Sequence, residues 1–202
     1  MLTIDLLRHG ALQGGIKYRG QIEASLTEAG RADMNQVWQR LADQVDCIFT
    51  SPLSRCAEAA TDWGKAANIP CIIETRLAEM HYGAWEDKTA QQIEQISPNM
   101  LQQWRQDPTG MRPPGGESPE ELRQRISEWW LETSANINNH QHILVIGHSG
   151  SLRMLIAIAC NQPIAATRQM DMPYASWQRL RHDGTTSTLE KLNTTNIMTH
   201  GR

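Results

Sequence analysis

Met1-Leu2-Thr3-Ile4-Asp5-Leu6-Leu7-Arg8-His9-Gly10 is the stretch that decides the fold. Met1 to Leu7 reads as a short, mostly apolar strand. Arginine and histidine follow where the strand ends, and glycine lets the backbone turn. Ligands of open α/β sheets bind beyond the carboxyl ends of the strands. A histidine placed there can be a nucleophile, and an arginine beside it can hold an anion. Taken alone, so short a string favours a plainer reading, a loop histidine next to a surface arginine.

Working outward, two more strand ends carry chemistry. Asp46-Cys47-Ile48-Phe49-Thr50 leads into Ser51-Pro52-Leu53-Ser54-Arg55-Cys56-Ala57, which reads as strand, turn and helix with Arg55 in the first turns. His142-Ile143-Leu144-Val145-Ile146-Gly147 is a buried-strand run ending in His148-Ser149-Gly150. Between them lies Arg76-Leu77-Ala78-Glu79-Met80-His81-Tyr82-Gly83-Ala84-Trp85-Glu86. The order is Arg-His, Arg, Glu, His, and in a parallel sheet these strand ends can converge on one pocket.

With these pieces the chain resembles the histidine phosphatase superfamily, in its phosphoglycerate mutase-like branch. The resemblance covers roughly Leu2 to Ala159 and includes Ser25-Leu26-Thr27-Glu28-Ala29-Gly30 as well. It implies an α/β fold: a three-layer sandwich with a mostly parallel central sheet flanked by helices. The whole chain, 1–202, reads as one domain, with a core over about 2–192 and a frayed tail over about 193–202.

Composition agrees with a soluble enzyme. The chain has 202 residues, 40% hydrophobic, with a formal net charge of −3. Nothing in this suggests a nucleic-acid or membrane surface, and no apolar run approaches the ~20 residues of a membrane span. Asp5 and Arg8 interrupt any signal-peptide pattern, so a cytoplasmic location is expected. Cys47, Cys56, Cys71 and Cys160 are scattered and read as reduced thiols, with Cys47 and Cys71 in apolar runs. A homodimer is compatible with the sequence but not specified by it.

The elements alternate. Ser25 and Glu28 have capping-box spacing, with Thr27 a second candidate cap, before a helix carrying Met34, Val37, Trp38 and Leu41. A helix runs from Arg55 to about Ala67, a strand over Cys71 to Ile73, and a helix over Thr89 to Gln106 broken near Ser97-Pro98. Asp107 to Ser118 is the clearest loop and is expected to form part of a pocket lid. From Pro119 a helix runs to about Asn138 with Leu122, Ile126, Trp129, Trp130 and Leu131 on its apolar side; of the adjacent tryptophans at most one faces the core squarely. Leu152 to Ala159 is a further apolar helix. Ser176 to His182, Asp183-Gly184 and Thr185 to Leu192 read as a hairpin with a primed turn.

The resemblance assigns roles. His9 is the nucleophile, neutral, with one ring nitrogen free and the other donating to a backbone carbonyl that the Gly10 turn brings close. Arg8 and Arg55 supply planar forks for the phosphoryl oxygens. His148 is a third donor, as an imidazolium held charged by the phosphate. Glu79 is the general acid and base, with Glu86 and Asp87 as rivals otherwise read as solvated loop residues. Gly10, Arg19, Gly20, Tyr82 and Ser149 join the substrate contacts, and Tyr82 and Trp85 can offer aromatic faces. The family needs no metal or organic cofactor. His140 and His142 have His-x-His spacing but no third ligand nearby.

The sequence departs from the family pattern at Ala11 where Glu or Gln is usual and Gly14-Gly15 where an Asn is usual, both in the loop after the first strand, and at Asp87 after Trp85-Glu86 and Ser149 after His148. Arg8 to Gly20, together with Pro113 to Ser118, is similar to the bacterial α-ribazole-5′-phosphate phosphatases, which act in cobalamin nucleotide-loop assembly. The expected function is dephosphorylation of α-ribazole 5′-phosphate. Another metabolite phosphatase, such as one for a sugar phosphate, a mutase, and a non-catalytic phospho-ligand module remain as alternatives.

Overall fold

The computed structural model describes residues 1–135 and 141–190. Six strands form one sheet in the order β3-β2-β4-β1-β5-β6. They are β1 (Leu2–Arg8), β2 (Cys47–Thr50), β3 (Cys71–Ile73), β4 (His142–Gly147), β5 (Trp177–His182) and β6 (Ser187–Glu190). The first four are mutually parallel, and β5 and β6 extend the sheet antiparallel from β1. Six α-helices accompany them: α1 (Glu28–Leu41), α2 (Ser54–Ala67), α3 (Ala90–Ile96), α4 (Met100–Gln106), α5 (Pro119–Ala135) and α6 (Ser149–Ala159).

Strand periodicity divides the core into two layers. Leu2, Ile4, Leu6, Ile143 and Val145 point to the face covered by α5 and α6. Leu7, Leu144 and Ile146 point to the other, where they meet Met34, Val37 and Trp38 of α1 and Ala59 and Trp63 of α2. Both faces are therefore dry, which explains why β1 and β4 read as near-continuous apolar runs. The sandwich is the expected three-layer one. Among the described residues no helix is long and apolar enough to cross a membrane.

Asp5 interrupts that pattern on the α1–α2 face and is fully buried. Its carboxylate accepts from Trp177 Nε1 at 2.7 Å and from Arg179 Nε and Nη2 at 2.8 Å each, and lies 2.5 Å from His142 Nε2. Burial pushes this carboxyl up, but His142, Arg179 and Trp177 outweigh burial and hold it below the usual carboxylate range. The cluster ties β1 to both of its sheet neighbours. It also uses His142, whose expected proximity to His140 concerns a residue outside those described; among the described residues no metal-ligating group of three or more forms.

Local chemistry corrects several expectations. Thr27, not Ser25, caps α1, accepting from Gly30 N at 2.9 Å. Leu131 is 66% exposed, while both Trp129 and Trp130 are buried, the first against Phe49 and the second against His182. The wide apolar stripe of α5 admits both because one faces the sheet and the other its antiparallel extension. The β5–β6 loop holds four residues, 183–186, because His182 pairs with Ser187 and the Asp183 side chain takes the Thr185 and Thr186 N–H groups. Helix α6 starts at Ser149, one turn earlier than expected, directly after His148. Cys47 and Cys56 are buried, Cys71 and Cys160 half-buried, and all four are free. The expected reach of α5 to Asn138, the end of the hairpin at Leu192 and the tail over 193–202 lie outside the described residues.

Replacing Asp5 by Ala leaves Arg179 without its anion in a nearly dry site. A loss of about 3–5 kcal/mol is expected, measured as a lower urea midpoint at unchanged slope.

Candidate active site

The carboxyl ends of β1, β2 and β4 place Arg8-His9, Ser51 and His148 side by side. Helix α2 brings Arg55 from its first turn. The His9 and His148 ring centroids are 5.1 Å apart. His9 is 4% exposed, Arg55 1% and His148 0%. A cleft of about 560 Å³ opens over this floor. Arg8, His9, Arg55 and Glu79 line it, and so do Arg19, Gly20, Tyr82 and Ser149. Gly10 and His148 lie behind the lining.

His9 Nδ1 lies 2.8 Å from the Gly10 carbonyl oxygen, which fixes the proton on Nδ1 and leaves Nε2 with its lone pair. Burial, with Arg8 and Arg55 adding repulsion, pulls the ring down to about 3, so it is neutral at ordinary pH. Gly10 is needed for a reason other than the expected turn. A Cβ there would stand 2.0 Å from the carbonyl oxygen of Gly30 in the first turn of α1.

His148 is held at both nitrogens. Arg55 Nε donates to Nδ1 at 3.2 Å, so the ring proton sits on Nε2 and is shared with Ser51 Oγ at 2.7 Å. Burial first, then Arg55 and His9, push it well below the usual histidine range. The imidazolium expected from sequence is therefore not the form of the free site. A second ring proton would face the Arg55 donor head on. Arg55 also donates to the carbonyls of Gly20 at 2.6 Å and Ile22 at 2.7 Å, which anchors the loop before α1.

Glu79 reaches the start of α6. Its carboxylate oxygens accept from the N–H groups of Gly150 at 3.1 Å, Ser151 at 3.2 Å and Met80 at 2.9 Å. A Cβ on Gly150 would lie 2.4 Å from Glu79 Oε1, so glycine alone leaves room for the carboxylate. Arg125 of α5, paired with Glu117, donates to the carbonyls of Arg76, Ala78 and Glu79 and clamps the segment from behind.

Glu86 is not a solvated loop residue, whereas Asp87 is half-exposed, as expected. Glu86 accepts from Gln21 N and Tyr82 N, and Asp87 pairs with Lys17 and Arg19. Both staple the loop over 11–24 to the loop over 79–88, and neither lines the cleft. Arg19 lines it, but its guanidinium is engaged by Asp87 and by the Gln13 and Gly15 carbonyls. Trp85 is fully buried, donating to Ser97 Oγ at 3.1 Å, so it presents no aromatic face to the cleft. Asp107 to Ser118 is no lid: its glycine end packs on Gly83, and only Pro108 reaches a small recess beside the cleft.

Sequence reading missed five contributors. Tyr174 stands 5.5 Å from His9 and 4.1 Å beneath the Arg8 guanidinium, ring centroid to group. It arrives from the segment before β5, with no motif to mark it. Ser51 was visible only as part of Ser51-Pro52. Arg105, Arg153 and Arg168 line the outer cleft, from α4, α6 and the 3₁₀ turn Ile164–Gln169.

A doubly covered α/β sheet with two buried histidines and two arginines gathered at its strand ends and first helical turn defines the class. The chain belongs to the histidine phosphatase superfamily, branch 1, whose family model matches residues 4–195. It is 31% identical over 189 residues to a probable phosphoglycerate mutase of Serratia proteamaculans, covering 90% of this chain and 86% of that one. A mycobacterial glucosyl-3-phosphoglycerate phosphatase, solved with VO3, superposes with a TM-score of 0.85 at 27% identity, covering 94% and 98%. The α-ribazole phosphatase of Shigella flexneri gives 0.82 at 26% identity, covering 96% of each chain.

Two buried neutral histidines make stability pH-dependent. Their folded pKa values lie below the unfolded value of about 6.5, so the unfolded chain binds more protons as pH falls. Stability is fully present above about pH 6.5 and is lost below it by up to ~1.4 kcal/mol per pH unit for each histidine. Urea denaturation of His9→Gln between pH 4 and 7 should show a shallower decline than the wild type.

Proposed function

We propose that the protein is a phosphomonoesterase working through a phosphohistidine on His9. The observation that carries this is the His9 ring, held neutral with Nδ1 on its neighbour's carbonyl and set between two guanidiniums at the cleft floor. Nε2 attacks phosphorus, the P–O ester bond breaks, and the leaving oxygen takes a proton from Glu79. Water then attacks the phosphohistidine and gives its proton to Glu79. The P–N bond breaks and its electron pair returns to Nε2. Arg8 and Arg55 hold the phosphoryl oxygens throughout. His148 acts in the free site on Arg55, fixing the direction of its Nε.

For the substrate, the likeness to the Shigella enzyme and the phenol faces of Tyr82 and Tyr174 support α-ribazole 5′-phosphate. Trp85, the other aromatic on which that reading drew, is buried away from the cleft. Seven cationic side chains against a single carboxylate line the cleft of a chain whose net charge is −3. That imbalance favours a second reading, a small phosphomonoester carrying further negative charge.

His9→Ala should abolish turnover and leave the fold intact, and neutral quenching of the wild type should trap phosphate on His9. Trapping elsewhere removes the assignment. Glu79→Gln should lose about 10²–10⁴ in kcat with an alkyl phosphate and much less with p-nitrophenyl phosphate, whose alcohol leaves without a proton. Glu86→Gln with the larger loss would move the acid to Glu86.

A further inference from the structure

The two arginines at the phosphoryl end of the cleft are held very differently. Arg55 has all three guanidinium nitrogens engaged, by His148 and by the carbonyls of Gly20 and Ile22. Among the described residues the Arg8 guanidinium makes one hydrogen bond, from Nη1 to the Met172 carbonyl at 2.6 Å, and its buried Nε has no partner. A planar group on a single hydrogen bond can still swing about it. A long side chain that must be ordered as its ligand arrives weakens binding.

A ring supplies the missing restraint. The Tyr174 ring centroid lies 4.1 Å from Arg8 Cζ and 5.5 Å from the His9 ring. At that distance a guanidinium lies against the phenol face and is attracted by the ring quadrupole. Tyr174 lines the cleft together with Arg8 and His9.

The backbone that carries this ring is strained, and it is pinned to the site itself. Pro173 to Ser176 form a tight turn, closed by the Ser176 N–H on the Pro173 carbonyl at 3.1 Å. Its third residue, Ala175, has a φ of 53°, a left-handed conformation that such turns ordinarily give to glycine. The Ala175 N–H donates to the His9 carbonyl at 3.1 Å, and the Arg8 N–H donates to the Ser176 carbonyl at 3.0 Å. Ala175 is also buried in the core layer that holds Leu7 and Trp38. Strain of this kind persists where the surroundings over-determine it, and it gathers at functional sites. The turn fixes Tyr174 relative to the backbone of the same two residues whose side chains the ring flanks.

We infer that Tyr174 is a positioning residue whose ring, set by this strained turn, holds the Arg8 guanidinium in one plane before substrate arrives and leaves its remaining donors free for phosphoryl oxygens. What Arg8 holds rests on the phosphomonoesterase reading above; the stack and the turn do not.

The test measures orthovanadate binding by calorimetry, a probe with no alcohol group to contact, and kcat/KM for p-nitrophenyl phosphate. Tyr174→Leu should weaken orthovanadate by about 2–10-fold, the cost of ordering one long side chain, and lower kcat/KM by roughly 10–100-fold. Tyr174→Phe keeps the ring face and should stay within about threefold of the wild type on both measures. In an Arg8→Lys background no planar group remains to be held, so Tyr174→Leu should add less than about threefold to the loss in kcat/KM. In the wild-type protein, where folding of a variant is not in question, the Arg8 guanidinium protons should resonate upfield of a solvated arginine's, with Arg8→Lys assigning the signal. An Arg8 signal at the solvated position, an equal loss in both backgrounds, or a loss in Tyr174→Phe as large as in Tyr174→Leu overturns the inference. A fall in kcat/KM with unchanged orthovanadate binding gives the ring to the alcohol and overturns it as well. The expected proton shift and orthovanadate pattern in a protein that turns nothing over keep the role of Tyr174 and overturn the phosphatase reading.

Discussion

Arg55 is a fully buried cation that forms no ion pair with a carboxylate among the described residues. Its charge is met by the carbonyls of Gly20 and Ile22 and by the lone pair of His148. Removing such an ion from water costs several kcal/mol even after relaxation, and the fold recovers this through packing elsewhere. Much of the site's arrangement follows. His148 must be neutral to accept from Arg55, and its remaining proton must go to Ser51. The loop before α1 must turn its carbonyls inward. His9, surrounded by Arg8 and Arg55, stays unprotonated. The positive field is thus assembled before any substrate arrives, so little reorganisation remains when a phosphoryl group enters.

Glu79 is placed by a different device. Gly150 leaves space at the start of α6, three N–H groups point at the carboxylate, and Arg125 grips the segment from outside. The carboxylate therefore stands on rigid elements on both sides, although it belongs to a loop. This placement also separates it from Glu86 and Asp87, which are committed to joining two loops.

The parallel core of the sheet and its strand-end residues were legible because β4 is an apolar run, β1 is one broken only by Asp5, and Arg8, His9 and His148 end or directly follow them, with Arg55 in the first turn of the helix after β2. Arg8, His9, Arg55 and His148 needed no long-range information beyond parallel order. Tyr174 and Arg168 were not legible, since each reaches the cleft from irregular backbone whose path depends on packing. The aromatic role given to Trp85 failed for a related reason: its neighbour Tyr82 lines the cleft while the 3₁₀ turn Gly83–Trp85 rotates Trp85 into the core. Leu131 shows the limit of helical periodicity, as a residue next to a buried tryptophan can face water. The primed turn was misjudged because Asp183 caps two N–H groups and makes a four-residue loop preferable.

The sheet order has a consequence for the life of the chain on the ribosome. The strand at the heart of the site precedes the other five, yet its partners on both sides are β4 and β5, residues 142–147 and 177–182. Until β4 has been synthesised, β1 has neither edge covered. An apolar strand with two open edges invites pairing with other chains. Closing so long a loop is also slow relative to local helix formation. The same topology that brings β1, β4 and the segment before β5 to one site therefore leaves an apolar strand uncovered during synthesis, and ties the appearance of the site to the making of β4 and β5.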